Sequence, residues 1–128
     1  MTSAQKSGLV FIFLTIALTV AGQLLVKHGM TQIGKAPSST SEMPMFFLRA
    51  IFHPPNFIGL GSAVLAAICW MGALSRCDLS FAYPFMALAI VLVLALTPAL
   101  FGEHVNAKQW IGVAVVCIGL WIASRSGQ

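Results

Sequence analysis

The chain has 128 residues, of which 59% are hydrophobic and only 8% are charged. Soluble domains carry about 25% charged residues, and a soluble domain of this length could not bury so much apolar surface. The composition therefore excludes an ordinary soluble protein and indicates an integral membrane protein. The net charge of +4 is spread over the ends of the apolar stretches, where basic side chains meet lipid phosphates, so we expect no nucleic-acid partner.

Four apolar stretches fill most of the chain, and each is long enough to cross a hydrocarbon core of about 30 Å as a helix. The first stretch is too long to be a cleavable signal peptide, and three more follow it. We predict an all-α membrane protein, with residues 1–128 forming a single domain of four transmembrane helices. The predicted spans run from Gly8 to Met30, Phe57 to Ser75, Leu79 to Phe101 and Ala107 to Ser124.

The connection between the first two spans is the only long one, and it has two parts. Residues 36–41 form a polar linker, and an aromatic-rich segment begins at Pro44 and ends before Pro54. Proline is tolerated in the first turn of a helix, and this segment is too short to cross the membrane. We expect residues 44–53 to form a short helix that lies flat at the membrane interface. The alternative is a connector packed on the helix bundle.

Basic residues divide almost evenly between the two ends of the spans. Basic loops normally direct insertion toward the cytoplasm, so a near tie gives a weak instruction. The tie fits dual insertion, in which copies enter the membrane in both orientations and pair antiparallel. The alternative is that a few charges are assigned to the wrong side, because Lys27 lies close to a span end. One side holds Lys6, Arg76 and Arg125, and the other holds Lys27, Lys35, Arg49 and Lys108.

Polar side chains recur at every fourth position of the first span, at Thr15, Thr19, Gln23 and Lys27. This spacing places them on one slowly drifting helical face. A threonine can bond to its own helix, but an amide deep in a span needs a partner helix, a water-filled cavity or a ligand. The stripe predicts the polar lining of a ligand cavity, with packing between helices as the alternative.

The third span contains two prolines, Pro84 and Pro98. Each removes a backbone donor, so we expect the helix to kink or loosen at both and to supply hinges, unless the kinks only improve packing. Tyr83 offers an aromatic face with a hydroxyl tip, which suits a sugar or a lipid headgroup as well as an interfacial anchor.

The fourth span carries three small residues, Gly112, Gly119 and Ala123, at helical spacing. Small residues allow another helix to approach closely, and van der Waals packing is the main force that joins helices in lipid. We predict a dimer contact on this stripe, and packing within the bundle is the alternative.

An enzyme is the class of protein that the sequence favours least. His28, His53 and His104 lie far apart in the sequence, and no nucleophile motif accompanies them. The cysteines Cys69, Cys77 and Cys117 match no zinc pattern and read as small apolar packing residues. We expect neither a metal nor another cofactor.

Several short motifs occur in a fixed order along the spans. They are Gly22-Gln23 before Lys27, Ala82-Tyr83-Pro84 opening the third span, Gly102-Glu103 after it, and Gly112 through Gly119 in the fourth. Their order resembles the small multidrug resistance branch of the drug/metabolite transporter superfamily. Within that branch, the first three motifs are most similar to the small paired subunits of the bacterial aminoarabinose-phosphoundecaprenol flippase.

This resemblance implies a dimer of four-helix subunits in which the first three helices enclose a chamber and the fourth pairs the subunits. It also places Thr19 where proton-coupled drug exporters carry an essential glutamate. A threonine does not ionise in the working pH range, so the substitution argues against drug export. The long first loop, at residues 31–56, departs from the family pattern.

We therefore predict a flippase that moves an undecaprenyl-phosphate-linked sugar, or a similar polyprenyl lipid, across a bacterial inner membrane. The expected complex is a homodimer, or a heterodimer with a related four-span subunit. A proton-coupled exporter of small cations is one alternative, with Asp78 and Glu103 as the proton carriers, and a non-transporting assembly subunit is another. The predicted substrate-binding residues are Thr15, Thr19, Gln23, Lys27, Arg49, Arg76 and Tyr83.

Overall fold

The structure is a computed structural model that describes residues 3–126, all of whose regular elements are helices. Four helical segments are long and apolar enough to cross a membrane, which confirms the predicted all-α, four-span fold. Helices dominate because hydrocarbon offers no hydrogen-bond partners, so each segment must satisfy its own backbone. The helices are α1 (Ser3–Ile33), α2 (Met43–Phe52), α3 (Pro54–Leu74), α4 (Leu79–Ala82), α5 (Ala87–Phe101) and α6 (Ala107–Ser126).

The third span is not one continuous α-helix. It runs over Leu79–Phe101 as α4, a 3-10 turn at Tyr83–Met86 and then α5. The turn contains Pro84, whose ring and missing N–H disfavour an α-helical bond at this point. Pro98 lies inside α5, and that helix continues to Phe101.

Helices α1 and α3 form an antiparallel pair whose backbones touch. A Cβ added at Gly22 would lie 2.8 Å from the Gly59 carbonyl oxygen, and a Cβ added at Gly59 would lie 2.8 Å from the Gly22 carbonyl oxygen. Toward one end of the pair, a Cβ at Gly72 would lie 2.9 Å from the Phe11 ring. Only hydrogen fits between the helices at these points, so glycine sets their separation.

The buried core is small and lies where α1 faces α3 and the third span. It consists of aliphatic and small side chains, and Ile12 is fully buried. Helix α6 lies at the edge, and none of the most apolar stretch of that helix is buried. The buried cluster comprises Ile12, Ile16, Val20, Ala73, Cys77, Ala82 and Ala89.

The short helix α2 occupies the first connection, where the sequence predicts one. Pro44 lies in its first turn, and His53 separates it from α3. The buried Asn56 side chain donates a 2.9 Å hydrogen bond to the Ala50 carbonyl oxygen, which ties the end of α2 to α3. The other amide atom, Oδ1, faces Gly29 without a hydrogen-bond partner among the described residues. The location of α2 at the membrane interface stays a prediction.

Candidate functional site

An open groove with a volume of about 690 Å³ lies between α1, α3 and the 3-10 turn of the third span. It extends along α1 from Thr15 to Met30, which corresponds to about 22 Å at the rise of an α-helix. That length covers most of a hydrocarbon core of about 30 Å. The lining residues are Thr15, Thr19, Gly22, Gln23, Val26, Lys27, Met30, Gly59, Leu60, Ala63, Ala66, Ala67, Trp70, Tyr83 and Met86.

The polar stripe predicted on the first span lines this groove. Thr15 is buried, and its hydroxyl donates a 2.7 Å hydrogen bond to the Phe11 carbonyl oxygen of its own helix. Thr19 follows one turn later, and Gln23 and Lys27 are exposed toward the far end. The polarity of the groove therefore increases along α1, from a threonine satisfied by its own helix to an amide and an ammonium group.

Aromatic and apolar side chains form the opposite wall. The Trp70 ring on α3 meets the Tyr83 ring edge-on, with centroids 6.2 Å apart. Because Tyr83 belongs to the 3-10 turn, the break at Pro84 fixes which side of the third span faces the groove. The lining is thus mostly apolar with a few polar groups, as is usual for small-molecule sites.

An ion pair lies near one end of the groove. The Lys27 ammonium lies 2.8 Å from a Glu103 carboxylate oxygen, and each side chain is about half exposed, at 49% and 47%. A smaller recess of about 230 Å³ adjoins the groove and shares Gln23 and Lys27 with it. The other residues of the recess are Leu24, Val93, Thr97, Phe101 and Glu103.

Local backbone geometry brings Glu103 to this position. Gly102 ends α5 in the left-handed conformation, with φ of 68°, which glycine adopts without steric cost. The chain turns sharply there, so the next side chain reaches back to α1. Asn106 and Gln109 then exchange hydrogen bonds of 2.9 and 3.0 Å between side chain and backbone, a reciprocal cap that starts α6.

Arg49 lies outside the groove. It contributes to a second basin of about 830 Å³ between the end of α1 and α2. Lys35, Glu42 and His53 also line this basin. Since it is formed by the segment that follows α1, the basin lies on the same membrane side as Lys27.

Arg76 and Asp78 lie at the opposite end of the bundle. The Arg76 guanidinium carbon lies 5.2 Å from the ring centroid of Phe11, near the start of α1. Asp78 precedes α4 and is exposed. The third span separates Asp78 from Glu103, and its length of 23 residues corresponds to about 34 Å as an α-helix. The two acidic candidates therefore lie on opposite membrane sides.

Two of the three small residues predicted for a dimer contact, Gly112 and Gly119, face open space. A Cβ added at Gly112 or Gly119 would meet no described atom within 4 Å. Ala123 is exposed on the same helix.

Two histidines that are distant in sequence approach the same glutamine. Gln32 Oε1 lies 2.7 Å from His53 Nε2, and Gln32 Nε2 lies 3.5 Å from His28 Nε2. These contacts join the end of α1 to the junction between α2 and α3.

Sequence reasoning missed the wall that α3 contributes and the partner of Lys27. The sequence did contain a signal for α3, because Gly59, Ala66 and Ala73 are small residues spaced by seven. All three are buried in the structure. Such a stripe marks a close helix contact, as on the fourth span. The contact between Lys27 and Glu103 carried no local signal, since it joins residues 76 positions apart.

The family assignment rests on a match that covers almost the whole chain. Residues 6–125 match the EamA-like transporter family. The chain belongs to this family. The four spans and the groove between α1, α3 and the third span therefore belong to an EamA-like transporter.

Three relatives of this EamA-like protein cover most of its length. It is 29% identical to the probable 4-amino-4-deoxy-L-arabinose-phosphoundecaprenol flippase subunit ArnF of Proteus mirabilis, over 97% of this chain and 96% of the relative. It is 32% identical to the probable flippase subunit ArnE of Serratia proteamaculans with the same substrate in its name, over 91% and 95%. It is 28% identical to the ArnE subunit of Pseudomonas fluorescens, over 92% and 97%. No solved structure matches the chain.

Proposed function

We propose that this EamA-like protein is a subunit of a flippase that moves a polyprenyl-phosphate-linked sugar between membrane leaflets. The observation that carries the proposal is the groove along α1, whose polar side chains end at Lys27. The names of the relatives, which are probable flippase subunits for an undecaprenol-linked amino sugar, support the same substrate class.

The groove suits this task because the barrier to flipping is the transfer of a polar headgroup through hydrocarbon. Thr19 and Gln23 offer hydrogen bonds along the path, and Lys27 offers a cation for the phosphate. The groove is open rather than enclosed, so the prenyl chain can stay among the lipid tails while the headgroup moves. No covalent step is required, and we propose a transporter rather than an enzyme.

Proton-coupled export of cations is the weaker alternative. None of the described residues that line the groove is acidic. Glu103 lies beside the groove but is paired with Lys27, and Asp78 is at the other end of the third span. A cation that entered the groove would meet the Lys27 ammonium.

We propose a second subunit, either another copy or a related four-span chain, because the relatives are named as subunits and two glycines of α6, Gly112 and Gly119, have open space beside them. We also place the protein in the bacterial inner membrane, where undecaprenyl lipids are handled, and in the small multidrug resistance branch on the strength of its motifs. Arg49, which lines the basin between the end of α1 and α2, is proposed as the first contact of the lipid phosphate.

Reconstitution into vesicles tests the proposal. Wild-type protein, with its partner subunit if one co-purifies, should speed transfer of undecaprenyl-phosphate-linked 4-amino-arabinose between leaflets, measured by accessibility to a membrane-impermeant amine reagent. Lys27→Ala should lower the rate at least about tenfold, because a hydrogen bond to a charged group contributes about 1.5–3 kcal/mol. Lys108→Ala, which removes an exposed cation on α6 outside the groove, is the matched control.

Other outcomes separate the alternatives. Proton-driven ethidium efflux without lipid transfer would favour the exporter. Full lipid transfer by Gln23→Ala and Lys27→Ala variants that still form the complex would favour the assembly subunit and contradict the proposal.

A further inference from the structure

The end of the groove presents two opposite charges to whatever occupies it. Lys27 lines both the groove and the adjoining recess, and Glu103 lines the recess. Their charged atoms lie 2.8 Å apart, and both side chains are about half exposed, so both can be reached by a ligand. The site thus carries a cation and an anion and has no net charge.

A site that binds only a phosphate has no use for this carboxylate. An acid next to the phosphate-binding cation repels the phosphate and competes for the ammonium, so it would weaken binding of a headgroup whose only charge is negative. Glu103 is nevertheless aimed at Lys27 by the left-handed turn at Gly102. The turn places the acid in the recess beside the groove, within reach of Lys27, where a neutral residue would serve a phosphate better.

We infer that Glu103 selects headgroups that carry an ammonium group in addition to the phosphate. Lys27 receives the phosphate and Glu103 receives the ammonium, so a zwitterionic headgroup replaces the ion pair with two new pairs. The exchange costs little, because an exposed lysine–glutamate pair contributes little to stability and both side chains are flexible. The inference rests on the proposed function and specifies which substrates this site prefers.

The recess provides the space for the second contact. It places Glu103 next to Thr97 and Gln23, whose oxygens can accept further hydrogen bonds from an ammonium group. The Thr97 hydroxyl donates its own proton to the Val93 carbonyl oxygen at 2.6 Å, which leaves its oxygen free to accept.

Two lipids that differ by one charge test the inference. The first is undecaprenyl-phosphate-linked 4-amino-arabinose, and the second is the same lipid with its amine acetylated and therefore neutral. Dissociation constants are measured by native mass spectrometry of the protein, with its partner if one co-purifies. We expect the wild type to bind the free amine more tightly than the acetylated lipid by about tenfold.

Glu103→Gln should abolish this preference by weakening only the binding of the free amine. Glu103→Asp, which keeps the charge, should retain a preference for the amine. Asp78→Asn, which removes an exposed acid at the opposite end of the bundle, should leave the ratio of the two dissociation constants unchanged.

Two results would overturn the inference while leaving the flippase proposal intact. One is a wild type that binds both lipids equally. The other is a Glu103→Gln variant that loses affinity for both lipids by the same factor, which would make the ion pair a structural tie between α1 and the loop before α6. A wild type that binds neither lipid would instead contradict the proposed function itself.

Discussion

Gly22 and Gly59 determine how closely α1 approaches α3, and the floor of the groove lies where they meet. A Cβ added to either glycine would lie 2.8 Å from the carbonyl oxygen of the other. A backbone oxygen cannot rotate out of the way as a side chain can. The width of the groove therefore depends on the absence of two methyl groups, since both glycines line it.

Gly59→Ala should lower the free energy of unfolding by about 1–3 kcal/mol, because overpacking at this contact pushes the two helices apart. The added methyl group would also lie 2.8 Å from a methyl carbon of Val26. Thermal unfolding in detergent, followed by circular dichroism, measures the effect. Gly61→Ala is the matched control, because a Cβ there meets no described atom within 4 Å. Equal melting temperatures for both variants would contradict this account.

Among the helical elements, the third span lines the groove through the 3-10 turn that interrupts it. The 3-10 turn at Tyr83–Met86 rotates the chain relative to a continuous α-helix, and both Tyr83 and Met86 line the groove. Pro98 has a different setting, because it lies within α5 and outside the groove lining. The geometry favours Pro84 over Pro98 as the hinge, and a hinge role for either remains a prediction.

Pro84→Ala should permit a continuous helix and turn Tyr83 away from Trp70. Tyr83 would then leave the groove lining and lose its contact with the bound lipid, and because an aromatic contact contributes about 0.5–1.5 kcal/mol, lipid affinity should fall up to about tenfold. Melting temperature should change little, because the backbone hydrogen bond that is regained offsets the lost contact between Tyr83 and Trp70. Pro98→Ala should change lipid affinity less. A larger loss of affinity in Pro98→Ala than in Pro84→Ala would contradict the assignment.

At the scale of the whole molecule, the bundle is unevenly packed. Helices α1 and α3 share a tight glycine contact, whereas the apolar stretch of α6 has no buried residue. A helix that packs so little within its own subunit has its apolar faces left for lipid or for another protein. The small residues on α6 favour a protein partner, since they permit the close contact that drives helix association in lipid.

Gly119→Leu should shift the population from dimer to monomer by filling the space that a partner helix would use. Because no described atom lies within 4 Å of the added Cβ, the unfolding temperature of the monomer should not fall. Native mass spectrometry in mild detergent reports the ratio of the two species. Gly61→Leu, an equally open glycine on α3, controls for added bulk. An unchanged dimer fraction in Gly119→Leu would exclude this face.

Several features of the site could be predicted because they follow from periodicity along one helix. Residues four apart share a face, so the polar stripe from Thr15 to Lys27 could be identified before any packing was known. Tyr83 was identifiable from its side chain, which combines an aromatic face with a hydroxyl tip. Arg76 and Arg49 were predicted to bind substrate together with this stripe, because their charge does not reveal where they lie in the fold. In the structure Arg76 lies against Phe11, and Arg49 lines the basin between the end of α1 and α2.

The membrane environment of this protein, the number of its spans and the polar face of α1 could all be predicted from the amino-acid sequence. Each of these follows from local composition and helical repeat, since an apolar run of about twenty residues that crosses lipid satisfies its own backbone hydrogen bonds as a helix. In contrast, the contact of Gly59 with Gly22 and the pairing of Glu103 with Lys27 became evident only from the packing of the helices. These contacts join residues from separate spans, and their formation depends on helix packing and on the turn at Gly102, neither of which is encoded in any one segment.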